Sequence, residues 1–262
     1  MKVYYQKSKK RLVYIGSSAT PDYWDDQWNE DLKSLVNLYK DNSFVSELTR
    51  KYIKNGGVVV EGGCGRANHV YSLAKNGYRA IGIDYAKKTV DYVNKVAPNL
   101  DVRLGNVRQL DLESDSVDGY WSLGVIEHFY DGYKDISEEM FRVLKSGGFL
   151  FITIPSMSKL RKLKAKLGMY DCYENSSDGF YQFALDPDQV IKDFLCYDFK
   201  LISKNQRNGF KGLKDESPAI LQRILQFIYN SNLLAFKALG LVLDKIFSKC
   251  CGHITLIILQ KK

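Results

Sequence analysis

The run Val58-Val59-Val60-Glu61-Gly62-Gly63-Cys64-Gly65-Arg66-Ala67 constrains the fold of this chain more than any other. It reads as an apolar strand ending in an acid, then a glycine-rich turn, then the helix-compatible segment Asn68-His69-Val70-Tyr71-Ser72-Leu73-Ala74. Glycines at such a turn let the backbone take φ > 0 and approach a ligand without a Cβ clash. In an open α/β sheet, ligands bind in the crevice beyond the carboxyl ends of the strands. A phosphate on the helix N-terminus would suit the amide dipoles there, but Glu61 just before the glycines would repel it. The acid favours a ligand that carries positive charge.

One strand–helix–strand unit later, Tyr78-Arg79-Ala80-Ile81-Gly82-Ile83-Asp84 reads as a second strand ending in another acid,. A carboxylate at that place commonly grips ribose hydroxyls. A ribose and a cation without phosphate together describe S-adenosylmethionine. Further strands near 101–104, 117–122 and 148–154, with helices between them, predict a doubly wound, mostly parallel sheet. The stop signal Lys145-Ser146-Gly147-Gly148 precedes the apolar strand Phe149-Leu150-Phe151-Ile152,.

From Val58 to Pro155 the chain resembles the class I S-adenosylmethionine-dependent methyltransferases, especially the small-molecule enzymes of the type 11 group. The resemblance is carried by the glycine loop, Asp84, Gly105-Asn106-Val107, Ser116-Val117-Asp118-Gly119-Tyr120-Trp121-Ser122, Val125-Ile126-Glu127-His128-Phe129 and Glu139-Met140-Phe141-Arg142-Val143-Leu144-Lys145-Ser146-Gly147-Gly148. One glycine motif alone is weak evidence; several ordered blocks are not. Two positions depart from the family pattern: Ala67 where another glycine is frequent, and Asn106 where Asp is frequent. An amide oxygen still accepts a hydrogen bond.

The resemblance implies a seven-stranded sheet with an antiparallel last strand, a helical N-terminal cap over 1–55, and a methyltransferase domain over 56–262 with a lid insertion at 156–186 and a helical insertion at 207–252. It implies S-adenosylmethionine as cofactor and no metal. Glu61 and Gly63 would contact the methionine moiety, Asp84 the ribose, and Asn106 and Val107 the adenine, with Ser122 and Leu123 beneath; Gly62, Cys64, Gly65 and Tyr85 complete the expected cofactor-binding set. His128 is the candidate catalytic residue, because an imidazole titrating near neutrality can take a proton from a hydroxyl acceptor; the competing reading is that it only positions its neighbours.

Composition trims the alternatives. A hydrophobic fraction of 45% and an aromatic fraction of 13% predict a globular protein,. The start has no apolar run after its charges and does not read as a secretory signal. Five cysteines without regular spacing make neither a disulfide framework nor a metal site,, which fits a cytoplasmic location. A net charge of +8 raises an RNA methyltransferase as an alternative,, and a non-catalytic cofactor-binding module is a third reading. The fourth strand ends in Trp121-Ser122-Leu123-Gly124, which is not the Asn/Asp-Pro-Pro-aromatic element of nucleic-acid amino-methyltransferases. A small-molecule or glycan hydroxyl is therefore the expected acceptor.

Three outlying segments carry further expectations. Trp24 and Trp28 share a helix face, with packing anchors the first reading and pocket lining the second, and Leu32, Leu35, Val36 and Leu38-Tyr39 recur at helical spacing, with another helix from about Ser43 to Lys54. The basic runs Lys7–Arg11 and Lys159–Lys166 read as solvated faces. Over 217–251, Ile220, Leu221, Ile224, Leu225, Phe227 and Ile228 form an amphipathic stripe,. Packing against the body is the favoured reading for it, ahead of a partner surface or a helix lying on a membrane.

Overall fold

The computed structural model describes residues 1–29, 40–173 and 177–262, with the side chains of 28 and 29 outside that description. The side chain of Trp28, the helical spacing over 32–39, and Glu174 with Asn175 therefore lie outside the description.

The chain opens differently from expectation. In place of helices, β1 (Lys2–Gln6) and β2 (Arg11–Ile15) form an antiparallel hairpin. Both strands are short runs of aromatic and β-branched residues, which suit a half-buried pleat. The turn between them lacks the Asn-Gly or Asp-Gly signature of tight hairpins; Lys10 closes it with φ +50 instead. The expected helices follow: α1 (Pro21–Asn29), and α2 (Phe44–Thr49), which starts on a capping box between Ser43 and Ser46.

The core then alternates as predicted: β3 (Val58–Gly62), α3 (Asn68–Lys75), β4 (Arg79–Asp84), α4 (Lys87–Val96), β5 (Asp101–Leu104), β6 (Val117–Leu123), α5 (Lys134–Val143) and β7 (Leu144–Pro155). The insertion after β7 contains α6 (Lys159–Lys166), β8 (Asp171–Cys172) and β9 (Phe180–Ala184). The chain returns through α7 (Pro187–Leu195) and β10 (Phe199–Arg207), crosses α8 (Gly209–Glu216), α9 (Ala219–Asn230) and α10 (Leu234–Cys251), and ends in β11 (Ile254–Lys261).

Seven strands form the main sheet in the order β10-β11-β7-β6-β3-β4-β5. All its neighbours pair in parallel except β11, which runs antiparallel to both β10 and β7. Both faces are buried, which is why Val58-Val59-Val60 shows no polar alternation. Val60, Tyr120, Leu150 and Ile152 pack towards α5 and α7, whereas Val59, Trp121 and Phe151 pack towards α3 and α4.

A second sheet, β8-β1-β2-β9, joins the N-terminal hairpin to strands of the insertion. The N-terminal hairpin and the insertion thus share one sheet, and a cluster of Leu12, Met157 and Ala184 packs it against Ala165 of α6. The run Lys159–Lys166 also corrects its expectation as a solvated face. Arg161 is only 2% exposed, paired with Glu216 at 2.7 Å, and Lys164 meets the same carboxylate.

Candidate active site

A pocket of about 210 Å³ opens at the carboxyl edge of the main sheet, lined by Trp24, Gly63, Asp84, Tyr85, Val107, Leu123, Gly124, Val125, His128 and Phe129. Five of the sequence-predicted cofactor residues line it: Gly63, Asp84, Tyr85, Val107 and Leu123. The others do not, for reasons specific to each. Gly62 is a glycine because a Cβ there would strike the Tyr120 hydroxyl. Cys64 packs its sulfur against β4 beside Gly82, and burial pushes its thiol pKa far up. Gly65 turns the chain at φ +48. Asn106 is exposed and accepts from the Arg108 amide with its own side chain at 3.0 Å. Ser122 is fully buried.

The glycine turn decides what kind of ligand fits. Gly63 (φ +74) could carry no side chain, since a Cβ would collide with Val125. The turn's amides are occupied by β4: Gly63 and Cys64 both donate to the Ile83 carbonyl, and Gly65 donates to Asp84 Oδ2 at 2.7 Å. These three amides, which a phosphate cradle would need, point at protein acceptors instead.

Two buried carboxylates flank that turn. Asp84 also accepts from the Ala86 amide at 2.9 Å; burial raises its pKa while those amide bonds oppose the rise. Glu61 is 3% exposed, and its Oε2 has no hydrogen-bond partner among the described residues. Burial, then the neighbouring charge of Asp84, raises its pKa well above the usual carboxylate range, against a bond from the Val70 amide. An under-satisfied buried carboxyl beside a second one is electrostatically complementary to a cation. Among the described residues, no lysine or arginine lines the pocket.

Above the floor sits an aromatic group that sequence reading caught only in fragments. His128 Nδ1 lies 2.7 Å from the Tyr181 carbonyl. A carbonyl can only accept, so Nδ1 carries the proton and Nε2 keeps the lone pair. Burial lowers the His128 pKa, and the bond to Tyr181 opposes that; the ring is neutral at neutral pH. Trp24 and Tyr181 each stand edge-on to it at 5.0 Å between ring centres, and Tyr23 packs on Tyr181 at 5.8 Å. Glu127, next to it, is buried, its Oε2 has no hydrogen-bond partner among the described residues, and burial pushes its pKa up to about 8.

What brings α1 here is Asp25, a role that its sequence context did not announce. Its buried carboxylate accepts from the Thr89 amide at 2.9 Å, the Thr89 hydroxyl at 3.1 Å and the Lys88 amide at 3.3 Å. It thereby caps α4, whose own N-cap residue Ala86 offers no side-chain acceptor. Tyr85 adds a tie from its hydroxyl to the Ala19 carbonyl at 3.2 Å. Trp121, by contrast, is a core residue, stacked on Phe151 and bonded to Thr49.

Comparison with known proteins agrees with this geometry. Residues 60–152 match the family described as a methyltransferase domain. A probable S-adenosylmethionine-dependent methyltransferase of Mycolicibacterium smegmatis is 39% identical over 98 residues, which cover 37% of this chain and 38% of that protein. The match thus spans under two fifths of that relative's length. Among solved structures, the [4+2]-cyclase SpnF superposes with TM-score 0.58 at 14% identity, covering 95% of this chain and 99% of that one. Geranyl diphosphate C-methyltransferase from Streptomyces coelicolor A3(2), solved with Mg²⁺, geranyl diphosphate and S-adenosyl-L-homocysteine, gives 0.51 at 14% identity over 83% and 78% of the two chains. The fold is that of the class I S-adenosylmethionine-dependent methyltransferases, and the resemblance of the 60–152 segment to the type 11 methyltransferase domain holds.

Proposed function

We propose that this protein is an S-adenosylmethionine-dependent methyltransferase acting on a hydroxyl of a small-molecule or saccharide acceptor. The observation that carries the reading is the pair Glu61 and Asp84 around a glycine turn whose amides are already bonded. That arrangement suits a ribose and a cationic group and is ill suited to a pyrophosphate. The cofactor, when bound, supplies an activated methyl group. Asp84 would hold the ribose hydroxyls, the unpartnered edge of Glu61 would face the positive end, and Val107 with Leu123 would form the apolar walls of the pocket.

The chain's own contribution to transfer is positioning, since in-line geometry is what such a displacement needs. Trp24 and Tyr181 offer ring faces and edges beside His128, a setting for a sugar or aromatic ring. His128, with Nδ1 engaged by Tyr181, presents Nε2 as a proton acceptor for a hydroxyl. A pocket whose lining among the described residues holds no lysine or arginine argues against RNA as the acceptor, because phosphate contacts dominate nucleic-acid affinity,.

Calorimetry with S-adenosylmethionine tests the core of this reading. Asp84→Ala should weaken binding by about tenfold or more, the order expected for losing charge-assisted bonds; unchanged affinity would remove the ribose assignment. Full turnover by His128→Ala on an acceptor found by labelled-methyl screening would remove the base role.

A further inference from the structure

The amphipathic stripe of α9 does not pack inward. Ile220 is 80% exposed, Ile224 54% and Phe227 66%, and only Leu225 of that helix is buried. The next helix repeats the pattern. Phe236, Leu243 and Phe247 of α10 are turned partly inward, while Leu234 (84% exposed) and Leu241 (75%) stand on the opposite side. Phe227 and Phe236 meet at 5.9 Å between ring centres, so the two helices form a hairpin. Its outer apolar surface is covered by nothing among the described residues. The expectation that this segment packs against the body is corrected: the hairpin touches it along one side and exposes the rest.

Charge selects the occupant. Over 217–251 the cations are Arg223, Lys237, Lys245 and Lys249, and the single acid is Asp244. Asp244 is turned in and accepts from the Phe210 amide at 3.2 Å, so the outer side presents cations among apolar side chains. Lys245 and Lys249 follow Leu241 on the outward side of α10 at helical spacing,. Two copies pressed together through this side would juxtapose like charges. An anionic lipid headgroup layer would neutralise them while receiving the apolar side chains. No described helix is long and apolar enough to cross a membrane, so the hairpin would lie on the surface.

Its place in the fold gives this a purpose. Ile254 pairs with Arg207 on one side and Pro155 on the other, so the segment between β10 and β11 leaves and re-enters the sheet at the carboxyl edge of β7. That is the edge on which the pocket opens.

We propose that the α9–α10 hairpin is a docking surface for an anionic lipid bilayer. Co-sedimentation of the full chain with vesicles is the test, comparing phosphatidylcholine alone with phosphatidylcholine containing about one third phosphatidylglycerol. The chain should pellet with the anionic vesicles and release in high salt. Ile224→Glu with Leu241→Glu should cut the partition coefficient by about tenfold or more. Lys237→Glu with Lys245→Glu should weaken binding to the anionic vesicles alone. Because all four positions are exposed, circular dichroism and melting temperature should stay at wild-type values. Failure to pellet, or equal pelleting of the Ile224→Glu/Leu241→Glu variant, would overturn the proposal. So would a wild-type dimer in analytical ultracentrifugation that falls to monomer in that variant, since a second copy would then be the occupant. None of these outcomes bears on cofactor binding.

Discussion

Replacing Asp25 by alanine should unseat α1 from the pocket mouth. The carboxylate serves as an N-cap supplied from another element, and losing an N-cap acceptor costs about 1–2 kcal/mol. The buried Thr89 amide and hydroxyl would also lose their acceptor, and an unsatisfied buried donor costs about 1–3 kcal/mol. Water reaching the vacated space offsets part of the second effect, so a total of about 2–3 kcal/mol is expected. For a domain of this size that lowers the melting temperature by roughly 4–10 °C. Asp25→Asn can keep the oxygen that serves Thr89 but loses the bond from the Lys88 amide and the charge at the helix start, the latter worth about 0.3–1 kcal/mol, so it should fall between alanine and wild type. Urea denaturation followed by circular dichroism measures the loss. Because α1 carries Trp24 into the pocket, calorimetry should show weaker binding of S-adenosylmethionine in the same order, alanine below asparagine below wild type. If Asp25→Ala stays within about 0.5 kcal/mol of wild type, the level of an ordinary surface change, the capping role is refuted.

The remaining expectations concern buried charge. His253 is held down at about 3, mainly by burial and then by the charge of Arg161; its folded pKa lies below the unfolded value, so stability is whole above about pH 6.5 and declines as pH falls towards 3, by at most about 1.4 kcal/mol per pH unit. His253→Gln should flatten that acid limb in a pH series of urea melts. Glu127 has the opposite sign, its folded pKa of about 8 lying above the unfolded value: its contribution is whole below about pH 4.5 and is lost as pH rises to 8. Glu127→Gln should therefore gain stability relative to wild type at pH 8 and little at pH 4. Arg161→Ala would leave buried Glu216 with Lys164 as its remaining cation and should cost up to about 3 kcal/mol in denaturant melts, whereas Arg161→Met with Glu216→Leu should cost less.

The parts of this molecule that could be read from sequence are those set by neighbouring residues. The apolar run Val58–Val60, the glycine turn and Asp84 lie within one strand–helix–strand unit, and they foretold the sheet and, with Tyr85 next to it, three residues of the pocket lining; Val107 and Leu123 came from the later blocks. The parts that escaped depend on partners far along the chain. Arg161 reads as one more lysine-run cation until Glu216 folds onto it. Asp25 looks like a solvated helix acid until α4 arrives beside it. The hairpin Lys2–Ile15 has no turn signal because Lys10 supplies a left-handed conformation that sequence preference assigns to glycine or asparagine,. The stripe of α9 was legible as amphipathic, but periodicity cannot tell which medium an apolar face meets.

The small four-stranded sheet has a bearing on how the pocket comes into being. Its β2–β9 pairing sets Leu12 against Ala184 and Val13 against Phe183, which lie far apart in the chain. The pocket floor, from Val58 to Phe129, closes through much shorter loops. Contacts of long sequence separation form late because the intervening chain must first surrender its freedom. The floor should therefore be assembled while the first fifteen residues still wait for their partner strand. In the finished protein the same seam should be the first to part, seen as the fastest-exchanging amides of any strand pair. Access to the site is then governed by the last structure to form.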